Sequence, residues 1–311
     1  MRNPKTIAGM ALLFVISFLF FLYMSFPYGV LKEAISAQVQ LATGITVRME
    51  SLGPAFPFGF TAEGIEIYKG RSPRVQIKEV SATFSVLQML MLRLGLSIDA
   101  EDAKGGDLSL GIGYGILDIV TGNLGLPSKV SLSAKSFSLD SLASFAIQTA
   151  VDKGVGGAIA GPLIAKLGLK GKLNGKADLS LNSKAPAQSS GTIKISLTDS
   201  VLVLSDPSLN FPDQAFKTAQ ISANLGGGTL NIDPSTRLTT ADLDVGVDGK
   251  VALRSTMPLS DLSLKAFLKL QGLLGEQYGM LVDGLSNGMS KNGSLSLQIT
   301  GTVGAPQFNP I

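Results

Sequence analysis

The chain has 311 residues, 45% of them apolar and only 16% charged, and its mean hydropathy is +0.33; about a quarter of an ordinary soluble chain is charged. It contains no Cys and no His. Disulfides, thiolate metal sites, cysteine nucleophiles, Ser-His-Asp catalysis and His-ligated zinc or haem are therefore excluded. The net charge of +3 is too small for a nucleic-acid footprint, which needs many phosphates neutralised at once.

Ile7 to Phe26 is a run of twenty residues without a charge. It is built around Ile7, Leu12, Leu13, Phe14, Val15, Ile16, Phe18, Leu19, Phe20, Phe21, Leu22 and Phe26. As a helix it would span roughly 30 Å, the thickness of a hydrocarbon core. Arg2 and Lys5 precede it, Pro27 and Gly29 end it, and Tyr23 and Tyr28 stand near its far end. The positive-inside rule puts the N-terminus in the cytoplasm. A cleaved signal peptide is the competing reading, but its apolar core would be about 7–15 residues with a small-residue site close behind. Here the nearest such pattern, Ala34 to Ser36, lies well beyond the run. The expectation is an uncleaved, single-pass anchor over residues 1–29 and one extracytoplasmic domain over residues 30–311.

Val30 to Leu41 has helical spacing and reads as a short juxtamembrane helix. From Ile45 the period changes to two, with strands around Val47, Ile65–Ile67 and Val75–Ile77. Ser85–Leu94 is apolar and lacks turn residues, which predicts a buried helix; strands resume at Ser97–Ala103 and Asp107–Ile112. Leu139–Val151 reads as a helix. Leu167–Leu181 alternates over fifteen residues, a one-sided strand too long to be straight, with a bend or bulge expected at its glycines. Thr192–Leu197 and Val201–Leu204 follow. Gly227-Gly228 predicts a two-residue turn that places Leu225 opposite Leu230 and Ala223 opposite Ile232. A loop at Val247-Asp248-Gly249 would fold Ala241–Ser255 into a second hairpin, with Val245 facing Val251, Leu243 facing Leu253, and Asp242 facing Arg254. Leu274–Met289 reads as a glycine-weakened helix. The fold class is mainly β: after the transmembrane helix, one elongated, curled antiparallel sheet of about a dozen strands with three or four short helices. At about 4.8 Å per strand it would extend roughly 55–60 Å.

Strand parity puts Leu169, Leu173, Leu179, Leu181, Ile193, Ile195, Leu197, Leu243, Val245, Val251 and Leu253 on one face. So many apolar strand faces with so few apolar helices to cover them leave surface to be shielded by lipid, by a partner or by the sheet itself, and a curled sheet that does not close would line an apolar groove with it. Lys166, Lys170, Lys172 and Lys176 share the opposite parity. They suit either contact with anionic head groups or an acidic partner or, the reading preferred, an outer face kept soluble by charge. Gly111-x-Gly113-x-Gly115 is followed by Ile116 and fails as a dinucleotide fingerprint; Gly175-Lys176-Ala177 fails as a phosphate loop. Asp242, Asp244 and Asp248 lack the remaining ligands of a calcium loop. No catalytic residue, metal site or cofactor is expected.

An ordered set of landmarks runs over most of the chain. It comprises the apolar run ending in Phe26-Pro27-Tyr28, Thr43-Gly44-Ile45-Thr46-Val47, Gly59 to Ile67, Ser85-Val86-Leu87, Gly105-Gly106, Gly191-Thr192-Ile193, and Leu297-Gln298-Ile299-Thr300-Gly301-Thr302 before Pro306. In these the chain resembles the type II secretion system protein N family, which is similar in style to the AsmA-like proteins. The resemblance implies a non-enzymatic protein of the bacterial inner membrane, its bulk in the periplasm, partnered by other components of the secretion apparatus. The AsmA-like side of it implies the alternative, a lipid-binding or lipid-transfer protein whose apolar β groove takes phospholipid.

Overall fold

The computed structural model describes residues 14, 17, 18, 21, 23–56, 58–70, 74–85, 93–115, 127–152, 164–182, 184–204, 211–285, 290–291 and 293–311. An extended segment must pair its N–H and C=O groups with a neighbour, and here all eighteen described strands pair within one sheet. They are β1 (Thr46–Arg48), β2 (Ser51–Pro54), β3 (Gly59–Tyr68), β4 (Val75–Phe84), β5 (Arg93–Asp102), β6 (Asp107–Gly115), β7 (Lys129–Ser138), β8 (Leu167–Ser180) and β9 (Ser190–Leu204). The second half continues with β10 (Gln214–Ala215), β11 (Thr218–Gly226), β12 (Thr229–Ile232), β13 (Arg237–Thr239), β14 (Leu243–Ala252), β15 (Asp261–Leu270), β16 (Ser290–Lys291), β17 (Ser294–Thr302) and β18 (Ala305–Pro310).

The connection is an antiparallel meander. At four places two short strands share one neighbour: β1 and β2 on β3, β10 and β11 on β9, β12 and β13 on β14, and β16 and β18 on β17. Eighteen strands thus make fourteen rungs, which at about 4.8 Å each extend roughly 60 Å. Among the described residues no pairing register joins the first rung (β1, β2) to the last (β16, β18). Its last edge carries Pro306 and Pro310, which lack the N–H donors that invite strand addition.

Among the described residues three helices pack on the sheet: α1 (Tyr28–Thr43) against β1 and β2, α2 (Asp140–Asp152) against β8 and β4, and α3 (Gly272–Leu285) against β15 to β17. All three were expected from periodicity. Residues 86–92, most of the helix expected over Ser85–Leu94, lie outside the described residues; Arg93 and Leu94 open β5. Of the apolar run, Ile7, Leu12, Leu13, Val15, Ile16, Leu19, Phe20 and Leu22 also lie outside them. Phe14, Phe18 and Phe21 are helical and exposed. No helix among the described residues is long and apolar enough to cross a membrane.

The irregularity expected in β8 falls where its glycines lead, but the extra residues belong to the partners. Register shifts occur between Ala134 and Phe137 of β7 and between Lys170 and Lys172 of β8 against β9. Ser136 and Asp199, both at φ 50°, are the bulge residues, and the Ser136 N–H donates to Asn174 Oδ1 at 2.8 Å. A third shift lies between Ile77 and Glu79 of β4. Bulges bend a strand and raise local twist, so these curl the sheet.

The Gly227-Gly228 turn forms as expected, with Leu225 opposite Leu230 and Ala223 opposite Ile232 and both glycines at positive φ (60° and 75°). The second hairpin does not form. Ala241–Ser255 contains one continuous strand, β14, whose Leu243 pairs with Leu270 and Val251 with Leu262, and Arg254 binds Asp261 at 2.6 Å instead of Asp242. Gly249 is at φ 129°, and a Cβ there would sit 2.3 Å from Ser263 O. This glycine lets two backbones approach inside the sheet; it does not turn the chain.

Candidate functional site

Directly opposed residues of an antiparallel pair share a face, so the register traces each row across the sheet. One row reads Phe60, Ala82, Ile98, Leu110, Leu132, Ala177, Ile193, Ala223, Ile232, Gly249, Leu264, Ile299, Phe308. It crosses from β3 to β18 without one polar side chain. A parallel row runs Phe84, Leu96, Ile112, Val130, Leu179, Gly191, Leu225, Leu230, Val251, Leu262. The row that flanks the first on the side away from the second points to the other face: Thr61, Ser81, Asp99, Ser109, Ser133, Lys176, Lys194, Ser222.

The nine expected groove residues that lie within strands fall on the apolar face. Leu173 is opposite Leu197, Ile195 opposite Gly175 and Ile221, and Leu169 opposite Leu202. Leu243 and Val245 lie in phase with Val251 along β14. Leu181 and Leu253 lie just past their strands and hold the ends by N–H bonds to Ser128 O (2.9 Å) and Gly228 O (2.8 Å).

Among the described residues this face is covered in part: Ala177, Ala223, Leu225 and, of the expected groove residues, Leu243 and Val251 are buried. The most deeply buried large side chains among the described residues are Leu274, Thr240 and Ser260, two of them polar. Leu169, Leu173, Leu179, Ile193, Ile195 and Leu197 are half-buried, and Ile221, in the middle of the apolar face, is 48% exposed. All described strands belong to the one sheet, so no second sheet of described strands lies over it.

Lys170, Lys172 and Lys176 occupy the polar face and, with Lys166 in the turn before β8, are exposed. Lys172 reaches Asp199 at 3.8 Å. A cleft on the same face is lined by Glu79, Asp99, Glu101, Asp107 and Lys135, with Glu101 held by Lys78 at 2.7 Å. No group of His, Cys, Asp or Glu among the described residues is arranged to hold a metal ion.

Near α2, Asp140 accepts from Lys104 Nζ at 2.6 Å and from the Gly171 N–H at 3.1 Å. The Lys104 bond is the chief cause that holds the Asp140 carboxyl below its ordinary pKa. Buried Asp102 accepts from the backbone N–H groups of Lys104 (2.7 Å), Gly106 (2.9 Å) and Ser138. These carboxylates splice the β5–β6 turn to the end of β7 and the start of α2.

At the first rungs the apolar face begins in an aromatic collar that sequence reasoning missed. Tyr28 stacks edge-on with Phe26 (5.4 Å between centroids), Phe60 (6.2 Å) and Tyr23 (6.3 Å), and Tyr23 with Phe58 (5.9 Å). Burial, with the Tyr23 phenol beside it, pushes the Tyr28 phenol up, so it stays protonated and donates to Tyr23 O at 2.6 Å. The Tyr23 hydroxyl accepts from the Gly59 N–H at 3.0 Å and lies 2.6 Å from both Ala55 O and Gly59 O. The only sequence signal was aromatic density at the end of the apolar run.

No family model, no curated protein and no solved structure matches this chain.

Proposed function

We propose that the protein is a membrane-anchored, non-enzymatic carrier whose sheet holds phospholipid acyl chains along its apolar face. In this reading Ile7–Phe26 is an uncleaved anchor in a bacterial inner membrane and the sheet lies in the periplasm. The observation that carries it is the uninterrupted apolar row from Phe60 to Phe308 on a sheet left open at Ile221. A strip of that length in water is costly, at about 25 cal/mol per Å² of apolar surface. Acyl chains can cover it along its whole length without a matched partner fold. The test is native mass spectrometry of the full chain released from detergent, with lipid extraction in parallel. Co-purifying phospholipid is expected, and a lipid-free, fully folded protein would refute the reading.

The second reading, a component of the type II secretion apparatus, is supported by the order of landmarks from Phe26-Pro27-Tyr28 to Leu297–Thr302. It keeps the anchor and replaces the acyl chains by an apolar segment of a partner. Secretin and pilin-like genes beside this one would favour it.

A further inference from the structure

We propose that the tip of the β2–β3 hairpin is a second membrane contact, with Phe56 and Phe58 seated in the interface of the leaflet from which the anchor emerges. The proposal rests on the reading of Ile7–Phe26 as a membrane span.

The tip cannot hang free of the anchor. Tyr23, three residues before the end of the apolar run, binds the hairpin at both sides of its turn. Its hydroxyl accepts from the Gly59 N–H at 3.0 Å and stands 2.6 Å from Ala55 O, and its ring packs on Phe58 at 5.9 Å. The height of the tip above the bilayer is therefore set by the last turn of the anchor, where tyrosines stand at the water interface. The tip is built for that level. Phe56 is 88% exposed and Phe58 47%, beside Phe26 at 48%. From Ser51 to Ala62 the sequence has no charged residue. Large aromatic side chains left in water beside a membrane span are accounted for by insertion at the headgroup boundary. A hairpin without Lys or Arg would bind by apolar burial and not by attraction to anionic lipid, so its contact should not respond to salt.

The chain has no Trp, so one introduced Trp reports alone. Phe56→Trp in the full chain is reconstituted into vesicles of phosphatidylethanolamine and phosphatidylglycerol containing bromine-labelled phosphatidylcholine. Two single-Trp controls accompany it: Phe18→Trp within the anchor, and Met280→Trp on α3, which at 89% is as exposed as Phe56. Insertion by about 5–10 Å should quench Phe56→Trp at least about twofold more than Met280→Trp, with a blue-shifted emission and no change on adding salt. Strong quenching of Phe18→Trp with Phe56→Trp no better quenched than Met280→Trp would overturn the hairpin contact and leave the anchor standing. Equal quenching of Phe56→Trp and Met280→Trp would show general adsorption and also overturn it. Protection of Phe56→Trp from aqueous acrylamide without bromolipid quenching would assign the tip to a contact between copies of this chain and overturn the membrane contact. Failure to quench Phe18→Trp would remove the anchor, and the proposal with it.

Discussion

Ile221 and Ala223 are two residues apart on β11 and point to the same face, yet they sit in different surroundings. Ile221 is 48% exposed and Ala223 3%, the latter packed between Ile193 and Ile232 in the apolar row. If that face is an open groove, Ile221→Asp loses roughly half of the burial worth of an isoleucine, about 1 kcal/mol, and the melting temperature falls by roughly 2–4 °C. Ala223→Asp buries a carboxylate between Ile193 and Ile232, costs at least about 3 kcal/mol, and should abolish cooperative unfolding. The assay is thermal unfolding of the full chain together with binding of a fluorescently labelled phosphatidylethanolamine. Ile221→Asp should stay folded and bind at least about tenfold more weakly, a loss of about 1.4 kcal/mol, because acyl chains would have to desolvate the charge. If Ile221→Asp unfolds as Ala223→Asp does, the face is a sealed core. If it folds and binds lipid unchanged, the acyl chains do not lie there.

Val15→Arg should cost about 2.5–3.5 kcal/mol of insertion free energy and shift the protein toward the soluble fraction on alkaline extraction; full retention would refute the anchor. Cysteines replacing Leu225 and Leu230 should join through a short bismaleimide, since the two are directly opposed. Cysteines at Leu243 and Leu253 should not, because Leu243 opens β14 and Leu253 follows its last residue, so the length of the strand, roughly 30 Å, separates them. Asp140 has its pKa lowered chiefly by Lys104, so its contribution is present above the ordinary carboxyl value of 3.8 and is lost as pH falls through the lower native value. Asp140→Asn should therefore lower the melting temperature at neutral pH, and the difference from wild type should shrink as the pH drops below 3.8; a gap constant with pH would show the ion pair to be idle.

The parts of this protein legible in the residues are those decided within a few positions. Alternation over Leu167–Leu181 dictates a strand with one apolar face, because successive side chains must point to opposite sides. Gly227-Gly228 dictates a turn, because both positions take positive φ and few other residues do so cheaply. The helical spacing of Leu139–Val151 is local in the same way. From parity alone the groove residues from Leu169 to Val251 fall on one face. Gly249 shows where local reading stops. Asp248-Gly249 looks like a turn in the sequence, but a side chain at Gly249 would meet Ser263 O on β15, and that neighbour is known only once the strands are paired. The bulges at Ser136 and Asp199, the fourteen rungs, and the exposure of Ile221 beside the burial of Ala223 depend likewise on which distant strands meet. Tyr23 is the clearest case: its hydroxyl finds Ala55 and Gly59 across more than thirty residues. A side chain's partner at that separation is chosen by the packing of the whole sheet, which no short window of sequence contains.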